Sequence, residues 1–196
     1  ITADTPEPSV PGQPYTVSVT VSSQAGTPSG TVIVNDGAGA GASVCQFNLV
    51  NGSGSCQLTS QFAGGRVLTA CLQASANWAA SCDNEVHDTI KADTSLDSPM
   101  INPSPAVEGQ VTQVSIALQV LSPGAGTPTG TVTVSASASE QCTIQLPATS
   151  CGLTLTSPGA RNITASYGGD GNFNGSQRQT TVQVLADQLL RNGFED

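Results

Sequence analysis

The sequence predicts an all-β protein built as two tandem antiparallel β-sandwiches, and three observations carry that prediction. Apolar residues alternate with Ser and Thr over short runs, a period of two that belongs to half-buried strands. Gly- and Pro-containing turns separate these runs, and no stretch keeps a helical period. Three blocks recur in one order, roughly 95–100 residues apart: "PEPSVPGQ" with "PSPAVEGQ", "GTPSGTV" with "GTPTGTV", and "LTACLQASANWAAS" with "ITASYGGDGNFNGS".

In chain order, "YTVSVTVS" places Tyr15, Val17, Val19 and Val21 on one face of a strand, and Val114, Ile116, Leu118 and Val120 read as its second copy. The Gly-Thr-Pro block then turns the chain into "TVIV" and "TVTV". "CQFNLV" and "CTIQL" follow, then "SCQLT" and "SCGLTL". A strand around 66–74 or 161–168 and a last one around 86–91 or 179–185 complete each copy. The expected domains are residues 1–92 and 93–186, with 187–196 as a C-terminal tail.

The run "PSPAVEGQ … GTPTGTVTV … ITASYGGDGNF" resembles the bacterial immunoglobulin-like repeats of large surface proteins and adhesins, and the resemblance extends over both copies. The first copy departs from it with Cys-Leu in place of Ser-Tyr and Trp in place of Phe. The resemblance implies immunoglobulin-like Greek-key sandwiches and a spacer, structural or adhesive role. It brings no catalytic residues with it.

Composition narrows the function classes. The net charge is −9, and the five basic residues, Arg66, Lys91, Arg161, Arg178 and Arg191, are scattered. This is no electrostatic footprint for nucleic acid or an anionic membrane. No apolar run approaches the ~20 residues of a membrane-spanning helix. The opening "ITADTPEP" reads as that of a mature protein or a cut segment, with any leader already removed. Six cysteines, none in a CxxC pair, point to an oxidising compartment at or outside the cell surface and not to zinc.

Cys45 and Cys142 are equivalent, as are Cys56 and Cys151, and each pair lies on consecutive strands joined by a turn. Cys45–Cys56 and Cys142–Cys151 are therefore expected as hairpin disulfides against the core. Cys71 and Cys82 have no counterparts and would close the penultimate hairpin of the first copy, with Cys71 facing solvent. Six cysteines allow fifteen pairings, of which the repeat favours this one.

Several motifs raise specific chemistries. "DGNFNG" offers Asp170, Asn172 and Asn174 at the spacing that opens a calcium loop, but position 12 holds Thr181 in place of a bidentate Glu. Trp78 and Phe173 are equivalent loop aromatics: either a platform for a glycan or protein ligand, or plugs for the sandwich ends. His87, the only histidine, cannot relay with its neighbour Asp88, because adjacent strand residues face opposite ways. A serine would be activated only if the fold carried it to His87. The acidic residues show no distinguishing spacing for glycoside chemistry. The Asn-Gly-Ser and Asn-Ile-Thr sequons, starting at Asn51, Asn162 and Asn174, read as coincidence. The expectation is a protein that is not an enzyme and has no cofactor or metal.

The ends complement one another. When the proline blocks are aligned, Ile1 falls opposite Ser98 and nothing stands opposite Thr94, Ser95 and Leu96. The first domain thus reads as lacking its first strand. "IKADTSLDS" at 90–98 meanwhile lines up with "VLADQLLRN" at 184–192, placing Leu190 at the position of Leu96. The tail is therefore a candidate donor strand for the next molecule, with Leu189, Leu190 and Phe194 as its anchors, building a head-to-tail fibre. The alternatives are a tail packed on its own second domain, a sorting remnant, and "ITADT" serving as the first strand of the first domain despite Pro6 and Pro8.

Overall fold

A computed structural model describes residues 1–37 and 42–187 of the chain. It divides into two compact units. The first comprises Ile1–Ala92 with Ser122–Gly126; the second comprises Asp93–Leu121 and the described residues from Thr127 onward. Every regular element among the described residues is a strand. Among the described residues no helix is long and apolar enough to cross a membrane.

The first unit contains β1 (Ala3–Thr5), β2 (Pro14–Thr20), β3 (Thr31–Asn35), β4 (Val44–Asn48), β5 (Ser53–Thr59), β6 (Gly64–Leu72) and β7 (Ser81–Thr89). They form a three-stranded sheet in the order β1-β2-β5 and a four-stranded sheet in the order β4-β3-β6-β7. Period-two alternation sends Tyr15, Val17 and Val19 from one sheet, and Val32, Val34, Leu68 and Leu72 from the other, into a shared core.

The second unit repeats this order. Its strands are β8 (Thr94–Leu96), β9 (Met100–Asn102), β10 (Ala106–Val107), β11 (Val111–Ser115), β12 (Leu118–Val120), β13 (Thr131–Ser135), β14 (Gln141–Gln145), β15 (Ser150–Thr154), β16 (Gly159–Tyr167) and β17 (Ser176–Leu185). The sheets are β15-β11-β9 and β10-β17-β16-β13-β14, with β12-β8 as a separate pair. β10 runs parallel to β17, as Ser9 bridges Thr89 in the first unit.

Two sequence expectations need correction. Cys45 lies on β4 and Cys56 on β5, which belong to opposite sheets. The two-residue Asn51-Gly52 turn has positive φ at both positions and closes only the Val50–Ser53 bridge. Beyond it β5 leaves β4 to pair with β2, so the disulfide ties sheet to sheet across the core edge. Cys142–Cys151 does the same between β14 and β15. Only Cys71–Cys82 closes a hairpin ladder, where the two residues face each other on β6 and β7 with Cα atoms 4.1 Å apart.

The second correction concerns register. Val17 faces Cys56 and Val114 faces Cys151, which makes these two valines equivalent and pairs Tyr15 with Thr112. The sequence alignment set Tyr15 against Val114, two residues away. A slip of two keeps every side chain on its own face, so alternation alone cannot detect it. The run from Val114 to Val120 is also interrupted: β11 ends at Ser115, and Leu118–Val120 leaves to pair with β8.

Candidate functional site

The strand pair β8–β12 shows what distinguishes the two units. Thr94, Ser95 and Leu96 pair with Val120, Gln119 and Leu118. Thr94 and Leu96 are buried. The Thr94 hydroxyl donates to the Asn174 carbonyl at 2.8 Å and lies 2.9 Å from the Ser176 hydroxyl. A short strand is thus seated between β12 and the start of β17. By register, Leu118–Val120 corresponds to Val21–Ser23 in the first unit, and Ser176 corresponds to Ser81.

Among the described residues no strand lies along Val21–Ser23. A groove of about 160 Å³ stands there, lined by Val19, Val21, Ala70, Leu72 and Ile1, with Ser81 and Asp83 at its polar rim. Ile1 packs on the core from this edge, and its amino group pairs with Asp83 at 2.5 Å. β1, from Ala3 to Thr5, takes the place of β9 and not that of β8.

A second cluster lies inside the first unit. His87 points inward from β7, stacked on Tyr15 with ring centroids 3.8 Å apart. Its Nδ1–H donates to Asp4 Oδ2 at 2.8 Å, and Glu7 Oε2 lies 2.5 Å from the same nitrogen. Nε2 lies 2.8 Å from the Ser9 hydroxyl, which is 3.3 Å from that of Thr89. Burial raises the Glu7 carboxyl above its usual range, against the Asp88 N–H and His87, and the facing Asp4 adds to the rise. Burial also pushes the Tyr15 hydroxyl up to about 12. Nearby, the Ser60 hydroxyl donates to Asp36 Oδ2 at 3.2 Å.

The order Ser9–His87–Asp4 is that of a nucleophile relay, and the fold does carry a serine to His87. Ser9 is 0% exposed, however, so its oxygen cannot meet a substrate. Asp88 is on the outer face of β7, where strand alternation places it. Sequence reasoning passed over Asp4, Glu7 and Ser9. The available signal was their pairing with Ile101, Ser104 and Ala106 in the proline-block alignment, where polar groups replace mostly apolar ones.

The remaining candidates resolve individually. Phe173 is 2% exposed, which removes it from any ligand platform; the interior holds its ring because Asp170 folds the loop inward. Asp170 Oδ1 accepts from the Asn172 and Phe173 N–H groups, and Oδ2 from the Thr129 N–H and hydroxyl. Burial raises this carboxyl, but those hydrogen bonds outweigh it and hold it at about 2. Its oxygens are thus engaged by the loop and by Thr129. Trp78 is half-buried against the first core. Leu189, Leu190 and Phe194 lie outside the described residues.

Comparison with known proteins agrees with this architecture. Residues 100–185 match the family model of the bacterial Ig-like domain (group 3). The fold is similar to the crystal structure of invasin, a bacterial integrin-binding protein, at 18% identity and a TM-score of 0.60, covering 94% of this chain and 39% of invasin's. The chain thus spans well under half the length of that protein. Fibronectin(III)-like modules of Clostridium thermocellum CbhA match over 96% of this chain and 95% of theirs, at 13% identity and a TM-score of 0.41. A search of curated proteins finds no significant match. The matched residues 100–185 run from β9 to β17 of the second unit, and the strands of residues 1–92 repeat that unit's sheet order.

Proposed function

We propose that the chain is a non-enzymatic structural and adhesive module of an extracellular bacterial surface assembly, and that copies join head to tail by strand donation. The observation that carries this reading is the groove along Val21, between Val19 and Ser81, at the place that Thr94–Leu96 fills in the second unit. Its occupant is residues 187–196 of a second copy. Ala186-Asp187-Gln188-Leu189-Leu190 aligns with Ala92-Asp93-Thr94-Ser95-Leu96, so Leu190 takes the inward place of Leu96. Main-chain hydrogen bonds along the edge supply affinity, and the leucine and Phe194 supply the apolar anchors. Donor and acceptor are different surfaces, so the contact does not close and an open fibre results.

Three disulfides suit an oxidising exterior. The test is sedimentation and electron microscopy of the full chain over a concentration series. Concentration-dependent polymers are expected, and they should vanish on deletion of residues 187–196 and in Leu190→Asp. Polymers that survive the deletion, or a full chain that stays monomeric at high concentration, would refute strand donation.

A further inference from the structure

We propose that Asp4, Glu7 and His87 form a binding site for one divalent cation of the zinc class, held by His87 Nδ1 and one oxygen from each carboxylate. The donor atoms all lie within 4.8 Å of one another. Zinc binds nitrogen and carboxylate oxygen at about 2.0–2.2 Å, which places neighbouring donors roughly 3–3.5 Å apart. The oxygens now stand 2.8 and 2.5 Å from Nδ1, so a cation entering between them moves each donor by less than about an ångström. The Glu7 side chain is 36% exposed and lies on the loop between β1 and β2, so it has room to shift, and water can complete the coordination from its side.

The surroundings of the imidazole are those of a ligand held in place. A metal-bound histidine donates its other N–H to an acceptor that fixes tautomer and ring orientation. Here Nε2 faces the Ser9 hydroxyl, which in turn can donate to Thr89, and Tyr15 holds the ring plane by stacking. One imidazole with two carboxylates suits a borderline cation. Calcium would need six to eight oxygens, which these residues do not supply.

The second unit is an internal control. In matching register it places Ile101 for Asp4, Ser104 for Glu7, Ala106 for Ser9, Val182 for His87 and Val184 for Thr89. The fold therefore closes this corner with mainly apolar side chains. Burying charge and hydroxyls there costs stability that an apolar corner does not, so the first unit keeps them for a purpose other than folding. A cation also ties Asp4 on β1 and Glu7 beyond it to β7, steadying the strand that follows Ile1 at the groove edge.

The test is calorimetric titration of zinc chloride into the full chain, free of any affinity tag, at neutral pH. One site per chain is expected, weakened about tenfold or more by Asp4→Asn and by Glu7→Gln, and about tenfold by Ser9→Ala. Glu7→Gln changes a half-exposed loop side chain, so it keeps the test valid if the buried variants misfold. Because His87 is the only histidine, nitrogen NMR of its ring reads the ligand atom directly: zinc on Nδ1 with the ring proton now on Nε2. No binding at millimolar zinc, wild-type affinity in Glu7→Gln, coordination through Nε2, or calcium binding as tight as zinc would each overturn the site.

Discussion

Glu140 is 5% exposed, yet it is ionised, because four donors surround it. The Thr156 N–H at 2.7 Å is the strongest influence, followed by Arg161, the Thr156 hydroxyl and the Ser137 hydroxyl; together they outweigh burial and hold the carboxyl at about 2. In the unfolded chain it titrates near the ordinary value of 4.5. A depressed folded-state value means that its contribution is complete above pH 4.5 and is lost as the pH falls toward 2. Asp170, also held at about 2, adds to the same window. Urea denaturation of the full chain between pH 6 and pH 2.5 should show the second unit losing stability over this range, and Glu140→Gln should flatten part of the slope. A pH-independent midpoint would contradict the assignment. None of these partners was legible from composition, since Glu140 and Arg161 sit on separate segments and meet only through the fold of the second unit.

At the scale of elements, the hairpin of β6 and β7 carries both a staple and the proposed cation ligand. Cys71 and Cys82 are direct partners in its ladder, and His87 and Thr89 point inward further along. Replacing both cysteines by serine should lower the stability of the first unit by about 3 kcal/mol through the entropy of an unconstrained loop, read as a reduced urea midpoint. The second unit, which has no equivalent bond, should be unchanged. This hairpin was legible because its disulfide follows from short-range pairing. The other two bonds were located on the right strands but assigned to hairpins. Whether β5 stays beside β4 or crosses to β2 is decided by a pairing between Ser53–Thr59 and Pro14–Thr20, far apart in the chain. The slip of two residues in β2 was hidden for a related reason, since alternation reports the face and not the partner.

At the scale of the whole molecule, each unit has its own core and its own inter-sheet bond, and they differ at one edge. Seating Thr94–Leu96 buries a leucine and satisfies a threonine hydroxyl in the second unit; the groove along Val21 stands at the corresponding place in the first. A charge placed in the groove should therefore act as the tail deletion does. Val21→Asp is expected to abolish polymers while leaving the circular dichroism of the monomer unchanged, because Val21 is only half-buried. Polymers of normal length in this variant would place the acceptor elsewhere.

The sequence by itself determined the all-β class, the two-fold repeat, the inward faces of the strands and the mismatch between the two edges. These are properties of local period and of one half compared with the other. Tertiary structure alone decided which sheet each strand joins, the loss of Phe173 to the interior, and the meeting of Asp4 with His87, 83 residues apart. A period of two tells each side chain which face it occupies. Only the pairing of distant strands tells it which neighbours share that face.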